Sequence, residues 1–111
     1  MINKTRSIYA RKFDKNSKSW TDDRDFNKRY LKGIEIFYNT LLRARGYVFL
    51  RDIYEELGFP IDQKSIVVGW FYDSGNAFVD NCIDFNIDGA DEGPDFWLDF
   101  NVDGNIMDRF E

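Results

Sequence analysis

The chain has 111 residues, the size of one domain, and 43% of them are apolar. It contains no histidine and one cysteine, which excludes a Cys/His zinc site and a Ser-His-Asp nucleophile. These absences predict a protein that is not an enzyme. The single thiol and the lack of an apolar N-terminal stretch predict a cytoplasmic location, and the short apolar runs predict no transmembrane helix.

The net charge of −5 is the sum of two halves of opposite sign. Residues 1–51 carry thirteen Lys or Arg and five Asp or Glu, a net charge of +8. Residues 52–111 carry two Lys or Arg and fifteen Asp or Glu, a net charge of −13. An acidic half of this strength repels nucleic acid and attracts basic clefts. We therefore expect a protein partner with a basic nucleic-acid-binding cleft, and no direct contact with nucleic acid or a membrane.

The N-terminal residues 1–21 are basic and polar, and they predict either an arm or a short strand at Ser7–Ala10, followed by a turn at 14–17. Residues 22–111 predict a single α+β domain. The clearest helix runs from Asp22 to Arg45, with Thr21 as N-cap. Its spacing predicts a buried face formed by Phe26, Tyr30, Ile34, Phe37 and Leu41.

A short second helix is predicted at Asp52–Leu57, because Gly58 and Pro60 follow it. The spacing of the apolar residues then changes to the alternation that is typical of β-strands. Four strands are predicted, at Ser65–Tyr72, Ala77–Ile87, Phe96–Val102 and Asn105–Phe110, with an acidic loop at 88–94. The predicted fold is therefore α+β, with one long and one short helix packed on a four-stranded antiparallel meander.

A short internal repeat is the most unusual feature of the sequence. Residues Ile83–Gly89 (IDFNIDG) recur as Leu98–Gly104 (LDFNVDG). Because side chains alternate along a strand, the apolar residues face the core and the carboxylates face the opposite side. If the two strands are neighbours, they form an acidic panel of Asp84, Asp88, Asp99 and Asp103, rimmed by Glu92 and Asp95 and extended by Asp80 and Asp108.

Three interpretations of this panel remain open. The simplest is the solvated face of a half-buried sheet, although carboxylates clustered without lysines repel one another. The second is a calcium or magnesium site in the acidic loop, which would make the protein a non-enzymatic accessory module. Its ligands would be Asp84, Asn86, Asp88, Glu92 and Asp95, which match the spacing of an EF-hand loop, although the flanks predict strands and not helices. A metal-assisted, carboxylate-dependent nuclease is a further alternative of this kind.

In the third interpretation the panel imitates nucleic-acid phosphates. Arg and Lys side chains that normally meet phosphates accept carboxylates in the same geometry. A protein of this kind is small, acidic and without catalytic residues, and it needs no cofactor. The contact residues would be the panel and its rim.

Several blocks of the chain resemble small uncharacterised phage and mobile-element proteins of Gram-positive bacteria. The blocks are 47–60, 68–72, 80–85 and 98–104, and the resemblance covers about residues 26–106. Its most specific parts are Gly69-Trp70 and the second copy of the repeat. Members of that family tend to carry Gly where this chain has Asn86, and a longer insert in place of residues 88–94.

The phage setting implies an anti-defence role in the cytoplasm of the bacterial host. In class, though not in motif, the chain is similar to anti-CRISPR inhibitors of type II RNA-guided nucleases, which are small acidic α+β domains. Such nucleases contain a positively charged channel and arginines that read the short duplex motif beside the target. The resemblance thus implies an inhibitor that binds the nuclease through its acidic residues and blocks DNA binding or cleavage.

Overall fold

The computed structural model describes residues 7–88, 91–92 and 94–107, with the backbone alone described at 91 and 92. In chain order the elements are β1 (Arg11–Phe13), α1 (Arg24–Arg45), β2 (Tyr47–Phe49), α2 (Leu50–Leu57), α3 (Gln63–Val67), β3 (Val68–Phe71), β4 (Asp91–Glu92), β5 (Asp95–Leu98) and β6 (Gly104–Asn105). The predicted mixture of helices and antiparallel strands is confirmed.

The strands form two three-stranded antiparallel sheets, ordered β1-β5-β4 and β2-β3-β6. After β5 the chain crosses from the first sheet to the second, where Gly104 lies opposite Gly69. The predicted four-stranded meander is wrong because β6 pairs with β3 and not with β5. The described residues also contain three helices, where the sequence predicted two.

The N-terminal part contributes to the first sheet. Ser7–Ala10, the candidate strand, is a turn in which the Ala10 N–H donates to the Ser7 carbonyl oxygen at 3.1 Å. The strand is β1, which starts at Arg11 and places Phe13 in the core without exposure. The predicted turn at 14–17 is present, closed by the Ser17 N–H on the Asp14 carbonyl oxygen at 2.8 Å.

Helix α1 begins two residues later than predicted because its N-cap is Asp23 and not Thr21. The Asp23 carboxylate accepts the Phe26 N–H at 3.1 Å. Thr21 instead donates to Asn27 Oδ1 from its backbone N–H at 3.0 Å and from its hydroxyl at 2.8 Å. At the other end, Gly46 closes the helix in a left-handed conformation, as predicted.

The predicted face of α1 is confirmed in part: Tyr30, Ile34 and Leu41 are partly buried against the core, but the buried residues lie one position further along the helix. The buried residues are Asn27, Leu31, Tyr38 and Leu42. Phe26 and Phe37, which the spacing placed in the core, are 46% and 57% exposed. The prediction considered apolar residues only, whereas Asn27 is polar. Asn27 is buried because its side chain forms hydrogen bonds with Thr21.

Two further predicted elements differ at their start. Helix α2 begins at Leu50, two residues earlier than predicted, and ends at Gly58 as expected. The first part of the predicted strand Ser65–Tyr72 is helix α3, and only Val68–Phe71 is extended. Asp62 and Ser65 form a capping box, with distances of 2.8 and 3.1 Å, and this stabilises a helical turn against the β propensity of the next residues.

The predicted strand Ala77–Ile87 does not form. Asn81 and Asn86 lie in the left-handed region, with φ of 57° and 56°, and each interrupts the extended backbone. Asn81 also exchanges hydrogen bonds with the backbone of Asp73, at 2.7 and 3.2 Å, which closes residues 73–81 into a loop. Of the last predicted strand only Asn105 is paired, and residues 108–110 lie outside the described residues.

The core is formed by side chains from both sheets, from α1 and α2, and from the repeat. Its large side chains without exposure are Phe13, Leu31, Leu42, Leu50, Ile53, Tyr54, Leu57, Trp70, Phe85, Phe96 and Leu98. No helix in the described ranges has both the length and the apolar character needed to span a bilayer. Both copies of the repeat are anchored in this core, through Ile83 and Phe85 in the first copy and Leu98 and Phe100 in the second.

Candidate functional site

The two copies of the repeat lie side by side. The Asp99 N–H donates to the Phe85 carbonyl oxygen at 3.1 Å, and the Asn101 N–H donates to the Asp84 carbonyl oxygen at 3.3 Å. Ile83, Phe85 and Phe100 are buried, whereas Asp84 is exposed. The predicted alternation of buried and open side chains is therefore present, although most of this backbone is outside the sheets.

Asn101 is the centre of this region. Its Oδ1 accepts the Trp70 indole N–H at 2.9 Å and the Asp84 backbone N–H at 2.7 Å. Its Nδ2 donates to Asp80 Oδ2 at 2.9 Å and to the Cys82 carbonyl oxygen at 3.1 Å. One amide thus joins strand β3, both copies of the repeat and the loop before them, and it binds the Asp80 carboxylate directly.

Four aspartates surround Asn101, and we call them the acidic surface: Asp80, Asp84, Asp99 and Asp103. Asp84 and Asp99 line one open cavity of about 340 Å³, together with Asn86, Phe100 and Asn101. Asp80 lies close enough to Asp103 to raise the pKa of that carboxyl. The cavity and this interaction place members of both copies of the repeat on one side of the molecule.

Each carboxylate of the acidic surface is held by hydrogen bonds. Asp84 Oδ1 accepts the Asn86 N–H at 2.7 Å, and Asp103 Oδ2 accepts the Phe71 N–H at 3.0 Å. Asp99 accepts the Ser7 hydroxyl at 2.6 Å and its backbone N–H at 3.2 Å. The positions of these charges therefore follow from the fold.

The acidic surface has no ion pair with a basic side chain of the described residues. Among the described residues, no Lys or Arg nitrogen lies within 4 Å of its carboxylate oxygens. Burial raises the pKa of Asp103, the Phe71 N–H opposes this, and the charge of Asp80 raises it further. Burial, followed by the charges of Asp80 and Asp84, likewise raises the pKa of the Cys82 thiol. The region thus carries negative charge that the described residues do not compensate.

Two of the predicted residues have basic partners elsewhere. Asp88 pairs with Lys28 Nζ at 3.1 Å and Lys32 Nζ at 3.3 Å, and these lysines lower the pKa of its carboxyl. Asp95 pairs with Lys12 Nζ at 3.3 Å. The structure therefore brings Asp84, Asp99 and Asp103 together and leaves Asp88 and Asp95 in separate ion pairs with α1 and β1.

The remaining predicted residues are only partly described. Glu92 belongs to strand β4, and its side chain lies outside the described part of the structure, as does all of Asp108. Asn101, which organises the site, was not predicted. The sequence signal that could have pointed to Asn101 was Trp70, because the indole N–H of a buried tryptophan requires an acceptor.

The EF-hand interpretation does not agree with this geometry. Asp88 and Asp95 are neutralised by lysines, and the Asp84 carboxylate binds a backbone N–H. Across the described ranges, no group of three or more His, Cys, Asp or Glu is arranged to hold a metal ion. The three aspartates of the predicted ligand set, Asp84, Asp88 and Asp95, therefore do not form such a group with one another within the described part of the chain.

The chain was compared with protein families, curated proteins and solved structures. The model of the Family of unknown function (DUF6353) matches residues 1–110. No curated protein and no solved structure matches the chain. Because the match extends over nearly the whole sequence, the chain belongs to this family of unknown function, DUF6353.

Proposed function

We propose that this protein is a non-enzymatic binding protein whose acidic surface occupies a basic, nucleic-acid-binding cleft of another protein. The observation that carries the proposal is the group of four fixed carboxylates without a basic partner among the described residues. A folded chain retains such like-charge repulsion at a cost in stability, and a basic partner removes that cost.

Preorganisation supports the same proposal. Asn101 and the backbone N–H donors hold the carboxylates before a partner arrives, so little conformational entropy is lost when they bind. Guanidinium groups that read phosphate accept a carboxylate in the same bidentate geometry. A rigid acidic surface is therefore suited to a cleft built for a phosphate backbone.

The partner we propose is a type II RNA-guided nuclease, which makes the protein a phage-encoded anti-CRISPR inhibitor acting in the bacterial cytoplasm. Such nucleases offer a positively charged channel and arginines that read the short motif beside the target. An acidic surface seated on either of them prevents the entry of target DNA. The absence of histidine from the chain supports inhibition by binding and not by catalysis.

The test adds the protein to a guide-loaded type II nuclease before or after the target DNA and follows cleavage and co-elution. Inhibition only when the protein is added first is the result expected of competition for the DNA site. Because the interaction is electrostatic, it weakens as the salt concentration rises. A wild-type protein that neither co-elutes nor inhibits excludes this nuclease as the partner.

A matched pair of double variants tests the surface itself. Asp84→Asn with Asp99→Asn removes two charges from the acidic surface and retains an oxygen acceptor for the Asn86 N–H and for one of the two Ser7 donors. Glu55→Gln with Glu56→Gln removes two exposed charges from α2 and gives the same net charge. We expect the first variant to bind about 10-fold more weakly or worse, and the second to bind like the wild type. Equal binding by both contradicts the proposal.

A further inference from the structure

Helix α1 exposes a second apolar face, opposite the one that packs on the core. Phe26, Ile36 and Phe37 are 46%, 64% and 57% exposed. Gly33 lies among them and is also exposed. Residues three, four, seven or eleven positions apart share one side of a helix, so these four residues form one face. A single exposed apolar residue is common on any surface, whereas a group on one helix face is typical of an interface.

Gly33 makes this face suited to a second helix. A Cβ at this position would have no neighbour within 4 Å, so the packing of the chain on itself does not require a glycine there. Where two helices cross at a glycine, their backbones approach closely, because no side chain separates them. The positions around it also follow the 4-3-4-3 spacing of paired helices, which gives the series Phe26, Tyr30, Gly33, Phe37 and Thr40.

The two ends of this face carry charges of opposite sign. Asp25 lies in the first turn of α1 and Arg43 in the last. They are separated by five complete turns, so both lie along one line of the helix, with Gly33 near their midpoint. Both are exposed, and among the described residues neither has an ion-pair partner within 4 Å. An antiparallel helix that crosses at Gly33 therefore brings Asp25 of each copy beside Arg43 of the other.

We propose that two copies of the chain associate through this face of α1, as an antiparallel pair of helices related by a two-fold axis near Gly33. Phe26, Ile36 and Phe37 of both copies are then withdrawn from water together. Each copy contributes the same residues, so the association ends at a dimer. A parallel pair would place like charges opposite each other at both ends, which disfavours it. The interface includes no residue of the acidic surface and is thus separate from the proposed function.

Association is measured by analytical ultracentrifugation over a range of protein concentrations. We expect the wild-type mass to rise from the monomer value of 13.2 kDa toward twice that value. Phe37→Ala is expected to weaken association about 10-fold or more, because it removes apolar area from the contact. Phe78→Ala makes the same change outside α1, at a residue that is 96% exposed, and this control is expected to associate like the wild type.

Exchange of the two charges tests the antiparallel direction. Asp25→Arg places two arginines opposite each other, and Arg43→Asp places two aspartates opposite each other. Each variant alone is expected to associate about 10-fold more weakly or worse. The double variant in one chain has the wild-type net charge and again places arginine opposite aspartate, so we expect it to regain association. Glu55→Arg, which changes the net charge as Asp25→Arg does but lies on α2, is the control and associates like the wild type.

Three results contradict the proposal. They are a wild-type protein that stays monomeric at every concentration, a Phe37→Ala variant that associates normally, and a double variant that associates no better than the single variants. A monomeric wild type would assign this face of α1 to a different partner. Circular dichroism of each variant verifies that the helix is folded. No nuclease is present, so the result is independent of the proposed inhibition.

Discussion

The side-chain amide of Asn39 binds both backbone groups of Ile83. Its Oδ1 accepts the Ile83 N–H at 2.7 Å, and its Nδ2 donates to the Ile83 carbonyl oxygen at 2.9 Å. One turn earlier on α1, Glu35 Oε2 accepts the Phe85 N–H at 2.8 Å. Helix α1 thus supplies the hydrogen bonds that a neighbouring strand would provide, and this holds the first copy of the repeat against the core.

Asn39→Ala is expected to lower the free energy of unfolding by about 2–4 kcal/mol, because two backbone groups of the buried Ile83 lose their partner. Urea denaturation measures the change. Thr40→Ala is the matched control, since the exposed Thr40 hydroxyl binds only the Ile36 carbonyl oxygen of its own helix. We expect the control to change stability by about 0.5 kcal/mol or less. Equal losses in both variants contradict this role of Asn39.

The predictions from sequence were most accurate where local chemistry determines the structure. The length of α1, its glycine cap and the burial of Ile83 and Phe85 all follow from periodicity and capping. The strand predicted at 77–87 failed in part because the backbone of Ile83 and Phe85 is held by side chains that are 44 and 50 residues away in the sequence. A periodic pattern carries no information about such partners.

Asn86 shows how a single residue interrupts an extended segment. Its φ of 56° lies in the left-handed region, which glycine adopts most readily. We expect Asn86→Gly to retain the stability of the wild type within about 1 kcal/mol, and Asn86→Ala to cost about 1–2 kcal/mol. Thermal unfolding of the two variants compares them, and an alanine variant as stable as the glycine variant would contradict the assigned φ.

Gly69 is required for a different reason, which is the close approach of two strands. A Cβ at this position would overlap the carbonyl oxygen of Val48 in β2. Gly69→Ala therefore requires the backbone of β2 to move, and we expect it to cost about 2 kcal/mol or more. Gly33→Ala is the control, because a Cβ there has no neighbour within 4 Å. It is expected to stabilise α1 by about 0.5–1 kcal/mol, as chemical denaturation can measure.

Glu35 makes the stability of the fold depend on pH. Burial raises the pKa of its carboxyl above the ordinary value of 4.5, the Phe85 N–H opposes the shift, and Asp84 adds to it. The native state therefore binds this proton more tightly than the unfolded state. The contribution of Glu35 to stability decreases as the pH rises from 4.5 through the pKa of the folded state.

Glu35→Gln is expected to remove this dependence, since glutamine cannot titrate but still offers an oxygen to the Phe85 N–H. The measurement is the difference in free energy of unfolding between wild type and variant at several pH values. We expect the difference to change in favour of the variant as the pH rises from mildly acidic to neutral. The carboxyl of Asp62, whose pKa is lowered and which is not among the groups that shift the pKa of Glu35, contributes equally to both proteins and cancels. A difference that is constant with pH contradicts the assignment.

Only part of the candidate site could be predicted from the sequence, because a local pattern does not show contacts between residues that are distant in the sequence. The repeat indicated Asp84, Asp99 and Asp103, because alternation along an extended chain is a local property. It could not indicate that Asp88 and Asp95 pair with lysines of α1 and β1, which are distant in the sequence. Which carboxylates remain uncompensated depends on the packing of those elements.

Cys82 is the only cysteine of the chain, and it is exposed between Asp80 and Asp84. A fluorophore attached to its sulfur would stand on the acidic surface without an engineered cysteine. Because the raised pKa of the thiol leaves little thiolate at neutral pH, labelling is expected to be slow and to quicken as the solution becomes alkaline. The native sequence thus contains its own attachment point for a spectroscopic reporter of partner docking.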